Sequence, residues 1–152
     1  MLTEALGALI VAAVALGLAV AWLAWTAVRL DTTVPDRLVA ELRLSQVSAL
    51  LLVLTAGVYV GAAITSETTP GVGLDIALAT GFFMVSALAT TWEPSRALTT
   101  LAVAWIAHGV LDLGHLTGAL PSALVPPWFP PACAIYDVCM AGICYLPVLR
   151  RS

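Results

Sequence analysis

The chain has 152 residues, 61% hydrophobic and 10% charged, with a formal net charge of −3 and a mean hydropathy of +1.03. Soluble domains carry about a quarter charged residues, so this composition excludes a soluble globule and indicates an integral membrane protein. There is no lysine, the six basic residues are all arginine, and no basic cluster suits nucleic acid.

Five apolar stretches approach the ~20 residues needed to span ~30 Å of hydrocarbon. The first covers about residues 5–29 and contains no charge before Arg29. Its leading segment carries Glu4 and no base, and its apolar run is too long for a signal peptide. It reads as a retained transmembrane helix, with Trp22 and Trp25 as interfacial anchors. Asp31 to Arg43 is the most charged part of the chain. Pro35 suits a first helical position, and Leu38, Val39 and Leu42 form one apolar side, so a short interfacial turn of helix is expected here.

The second span covers about 44–65 and includes Gly57-x-x-x-Gly61, a pattern that lets another helix approach closely. Ser66 to Gly73 reads as a loop containing the acid Glu67, with Thr69-Pro70 as a helix start signal. Span three covers about 72–91 and carries Asp75 near its start. Trp92-Glu93-Pro94-Ser95 reads as a tight helical hairpin into span four, about 95–117. Pro121, Pro126 and Pro127 mark the next connection. Span five, about 129–149, opens at Pro130-Pro131 and closes at Arg150-Arg151. The expected fold is all-α: one transmembrane helical domain over 1–152, a bundle of five helices, because a lipid-exposed backbone must satisfy its own hydrogen bonds.

With five spans, Arg29, Arg37, Arg43, Arg96, Arg150 and Arg151 share one side of the membrane, and no arginine lies on the other. The positive-inside rule then places the N-terminus outside and the C-terminus in the cytoplasm of a multi-pass protein of the cell (inner) membrane.

Both histidines lie in span four. His108, Asp112 and His115 fall at i, i+4 and i+7, so they project from one helix face. Ionisable groups inside a membrane are expensive and mark a partner or a task. At ~1.5 Å per residue His115 lies about 5 Å, Asp112 about 9 Å and His108 about 15 Å below the outer end of span four. By the same rise, Cys133 is about 6 Å and Asp137 about 12 Å into span five. Antiparallel neighbours joined by one connection pack together. His108, Asp112, His115, Cys133 and Asp137 are therefore expected in one outward-opening pocket, with Trp105 as a wall residue and Asp75 as a further pocket candidate. Asp75 also suits a helix N-terminus, and Trp105 also suits plain packing. Cys139 and Cys144 read as small packing residues.

Imidazole and carboxylate form a good ligand set for a divalent metal such as zinc, iron or manganese. In that reading His108, Asp112, His115 and Asp137 are the metal ligands, and Asp112 or Asp137 is the catalytic acid–base group of an enzyme acting on a lipid or small amphiphile. Without a metal, the same groups suit proton relay in a transport component, or a structural lock between two helices in a small subunit of a larger complex. Two histidines on one helix face cannot clasp a haem iron from opposite sides. The lipid bilayer is the one partner that composition demands; homo- and hetero-oligomers are both open.

The pattern W-x-x-H-x-x-x-D-x-x-H, then an aromatic before proline in the next turn, then C-x-x-x-D, resembles small bacterial multi-pass membrane proteins. Here it is Trp105, His108, Asp112 and His115, then Trp128-Phe129-Pro130, then Cys133 and Asp137. The resemblance covers about residues 105–145 and implies a membrane bundle but no particular activity.

Overall fold

The computed structural model describes the backbone of residues 2–65, 71–120 and 124–151 and side-chain surroundings from residue 7 onward. Glu67, Thr69-Pro70 and Pro121 lie outside the described residues, as does the Glu4 side chain. Five helices form an all-α bundle: α1 (Leu2–Arg29), α2 (Pro35–Thr65), α3 (Val72–Ala89), α4 (Pro94–Thr117) and α5 (Phe129–Leu149). Each is long and apolar enough to cross a membrane.

The helix ends follow local chemistry. Pro94 occupies the first turn of α4, and the Glu93 side chain accepts the Arg96 backbone N–H at 2.8 Å, which satisfies one orphan donor. Gly118 ends α4 in the left-handed region at φ 74°, where a side chain would be strained, and its N–H returns to the His115 carbonyl. Gly71, at φ 93°, starts α3 in the same region. Between α1 and α2, the Thr33 backbone N–H and then its hydroxyl donate to Asp31, which holds that carboxyl below its ordinary value.

The most extensive helix pair is α4 with α5, but α2 is the helix that touches all four others. Its buried face carries Leu44, Ala49 and Leu52 into a core shared with Leu98, Leu101 and Trp105 of α4 and Met140 of α5. Most other large apolar side chains point outward, as a lipid-facing surface requires.

Residues 35–43 are helical and lead directly into the second span, as expected. They are the first turns of one continuous α2, and the side facing the bundle is the charged one: Arg37 and Glu41 are buried, while Leu38 and Val39 are exposed. Pairing explains the inversion. Arg37 Nε donates to Glu41 Oε1 at 2.9 Å, and its other nitrogens donate to the carbonyls of Leu30 (3.2 Å) and Pro147 (3.1 Å). Arg151 closes the group by a second ion pair to Glu41. The last carbonyls of a helix have no intrahelical partner, so Arg37 uses the free end of α5 to join α1, α2 and α5.

The Gly57-x-x-x-Gly61 pair brings no helix close: a Cβ at either glycine would meet nothing within 4 Å. Where α4 meets α5, the glycine that permits a close approach is Gly109 of α4. A Cβ there would lie 3.3 Å from Asp137 Cβ and 3.5 Å from the Ala134 carbonyl of α5. Gly109→Ala gains helix propensity and asks α5 to give by a few tenths of an ångström, so the two effects nearly cancel. Gly109→Val adds two branches where there is no room and is expected to lower stability by about 1–3 kcal/mol. Unfolding in mixed detergent micelles, with Gly57→Val as the tolerant control, checks this.

Candidate metal centre

Gly109 lets α5 approach α4 closely enough for Asp137 to reach His108. His108 Nδ1 lies 2.8 Å from Asp137 Oδ2 and 3.5 Å from Asp112 Oδ2, one turn further along α4. All three residues are buried, and one donor atom from each lies within 4.8 Å of the others. From α2, the Tyr59 hydroxyl donates to Asp112 Oδ1 at 2.7 Å. Phe82 of α3 packs edge-on against the His108 ring with centroids 4.9 Å apart, fixing its plane. Below the cluster, Trp105 is fully buried and its Nε1 donates to Ser48 of α2 at 3.0 Å; Ser48 also contacts Cys144 Sγ at 2.9 Å.

The charges do not balance. Among the described residues the only ion-pair partner of Asp112 and Asp137 is His108. Two buried carboxylates thus face one imidazole, and Asp112 Oδ2 and Asp137 Oδ1 make no hydrogen bond. Buried polar atoms are rarely left so. Ligand distances of about 2.1 Å put neighbouring donors about 3.4 Å apart around a tetrahedral metal. His108 Nδ1 lies 2.8 Å from Asp137 Oδ2 and 3.5 Å from Asp112 Oδ2, on either side of that value. This buried His/Asp/Asp group, with two carboxylate oxygens that make no hydrogen bond, could hold a metal ion.

His115 is not one of the three clustered donors. Its Nε2 lies 3.4 Å from Asp75 Oδ1 of α3, and its ring stacks on Tyr59 with centroids 5.2 Å apart. Asp75 lies in the first turn of α3, as a helix-start acid does, and is buried there. The pair still faces the cluster, because Asp75, Tyr59, His108, Asp112 and His115 all border one void of about 20 Å³. That is room for one water-sized atom. Asp75 Oδ2 and His115 Nδ1 are buried without a hydrogen bond.

The other expected pocket residues divide. Trp105 is absent from this void and forms the packed layer beneath it. Cys133 opens the opposite way, onto a groove between α1, α2 and α5. Cys144 packs inside, whereas Cys139 is exposed on the outer face of α5. The void is consequently bordered by α2, α3 and α4; Asp137 of α5, expected in the pocket, meets His108 but does not line the void. Tyr59, Phe82 and Gly109 were not singled out from the sequence. Tyrosine and phenylalanine are ordinary in a membrane helix; a glycine next to an intramembrane histidine was the one signal available.

No protein-family model matches the chain, and no curated protein or solved structure matches it. Function must therefore be argued from the cluster itself.

Proposed function

We propose that the protein is a metal-dependent membrane enzyme acting on a lipid or small amphiphile, with a divalent zinc, iron or manganese held by His108, Asp112 and Asp137. The observation that supports this is the uncompensated pair of buried carboxylates with one free oxygen each, converging with an imidazole. A divalent metal there would supply Lewis-acid polarisation of an ester or phosphoryl oxygen and acidify water.

The chain's own residues would do the rest. Tyr59 occupies Asp112 Oδ1 and leaves Oδ2 for the metal. Asp75 orients His115, whose unbonded Nδ1 borders the same void and is the proton acceptor in this reading. Phe82 holds the His108 ring and Trp105 forms the floor. With the arginine-bearing ends in the cytoplasm, the centre sits in the outer half of the bilayer, and substrate arrives from the outer leaflet.

Elemental analysis of the purified protein tests this. The expected result is one divalent transition metal per chain, lost in His108→Ala and retained in Leu113→Ala, a change on the exposed side of α4. Wild-type protein without stoichiometric metal, after growth with each of the three metals, sinks the reading. One observation favours a second reading, a proton-coupled transport component: Tyr59, Asp112, His108 and Asp137 are consecutive members of one run of close polar contacts. That reading requires metal-free protein whose proton flux in vesicles is abolished by His108→Ala.

A further inference from the structure

On the other side of the cluster, α1, α2 and α5 enclose a groove of about 470 Å³, within the ~300–1,000 Å³ typical of ligand sites. Its walls include Leu9 and Ala13 of α1, Leu54 and Val58 of α2, and Trp128 and Ala132 of α5. The cause is local. Tyr136 of α5 donates its hydroxyl to the Ala13 carbonyl at 3.1 Å, and its ring lies where a Cβ on Gly17 would come within 3.1 Å. This clamp fastens α1 to α5 at its middle. Toward its start α1 stands away from the bundle, with Leu9, Ile10 and Val14 exposed.

We infer that this groove binds the acyl chain of a membrane lipid and directs its polar end toward His108, Asp112 and Asp137. Three observations single out hydrocarbon as the occupant. The hydroxyls in the wall are already used: Thr55 donates to the Leu51 carbonyl and Tyr136 to Ala13. Neither therefore has a proton left to donate to a polar ligand. The rest of the wall is aliphatic or aromatic apart from Cys133, which is the surface an acyl chain matches. The groove also runs along apolar helices that span the bilayer, where acyl chains are the solvent.

Continuity with the cluster sets the direction. Cys133 lines the groove and stands one helical turn before Asp137 on α5. Phe129, also in the wall, packs edge-on against Tyr59, the residue that donates to Asp112, at a centroid distance of 6.2 Å. One layer of side chains, Phe129 and Cys133, therefore separates chain from cluster. Chain binding stands on the groove alone; the direction of the polar end rests on the metal reading above.

The test uses full-length protein in phosphatidylcholine nanodiscs doped with a phosphatidylcholine that carries a diazirine on its acyl chain. After irradiation, adducts are mapped by mass spectrometry and metal is quantified in the same samples. The expected result is saturable labelling of the α1, α2 and α5 groove segments, at least fivefold above the exposed α4 face around Val110 and Leu113. Ala132→Trp and Val58→Trp, from two different helices, each reduce groove labelling at least fivefold and leave metal content unchanged. Even labelling of all lipid-facing surfaces, labelling indifferent to both tryptophans, or crosslinks to a second copy in the groove overturns the inference. Groove labelling in protein that holds no metal upholds chain binding and removes only the metal reading with its direction. Metal-loaded protein without groove labelling does the reverse.

Discussion

Asp137→Asn is expected to abolish metal-dependent stabilisation while leaving the metal-free protein as stable as the wild type. Asparagine keeps the volume of the side chain and can still bond His108 Nδ1, now 2.8 Å from Asp137 Oδ2. What it removes is one of two carboxylate charges that share a single imidazole. In the metal-free state the two carboxylates share one imidazole among the described residues, so loss of one charge relieves repulsion from Asp112 as much as it weakens the contact with His108. In the proposed metal-bound state it would be a ligand. A ligand at one hundred times its Kd stabilises the folded state by about 2.7 kcal/mol. Thermal unfolding in detergent, scanned with and without added zinc, iron(II) or manganese, reads both effects. The wild-type midpoint should climb with one of these metals and fall back with a chelator; the Asp137→Asn midpoint should respond to neither. A purely structural lock between α4 and α5 gives the opposite pattern: the variant would be destabilised without metal, and no metal would move the wild type.

Much of this arrangement is legible in the sequence, and what is not has physical reasons. Five apolar runs bounded by arginine, proline and tryptophan give the helices directly, because in lipid the length and polarity of a segment nearly determine its state. His108, Asp112 and Asp137 stand out for the same reason: a charge in an apolar run is conspicuous. The partners are harder to read. Tyr59 and Phe82 carry no such signal, and nothing in a helix's own periodicity says which other helices it will face. Thus His115, on the same face of α4 as Asp112, meets Asp75 of α3 instead of joining the three-donor group. Asp75, legible as a helix-start acid, is buried because α3 packs against α2 and α4. Glycines mislead in the other direction. The familiar Gly57-x-x-x-Gly61 spacing is unused within the chain, while the single Gly109 determines how close α4 and α5 come. Close approach depends on what lies opposite, and spacing along one helix does not contain that information.

The charged start of α2 shows the same limit and supplies the largest stability effect. Read along the chain, Arg37 and Glu41 belong to a polar interfacial segment; in the bundle they are 4% and 0% exposed. Glu41 holds two arginines, Arg37 within the helix and Arg151 beyond the end of α5. Removing it leaves Arg37 buried with carbonyl partners only, and unmaking one side of a buried ion pair costs about 3–5 kcal/mol. Glu41→Ala is therefore expected to lower stability by about that amount, the largest loss of any single change considered, and to loosen the C-terminal end of α5. Replacing both members tells whether the pair stabilises the fold or merely completes it. Arg37→Met with Glu41→Leu fills similar volume without charge, and well-packed apolar replacements of buried pairs are often neutral or better. Arg151, with a third of its side chain already exposed, can turn to solvent in that double variant. The double variant should thus recover most of the stability lost in Glu41→Ala, as measured by unfolding in mixed micelles. Losses that simply add would mean that the two side chains act independently, and the buried pair would then not be what ties α5 to α2.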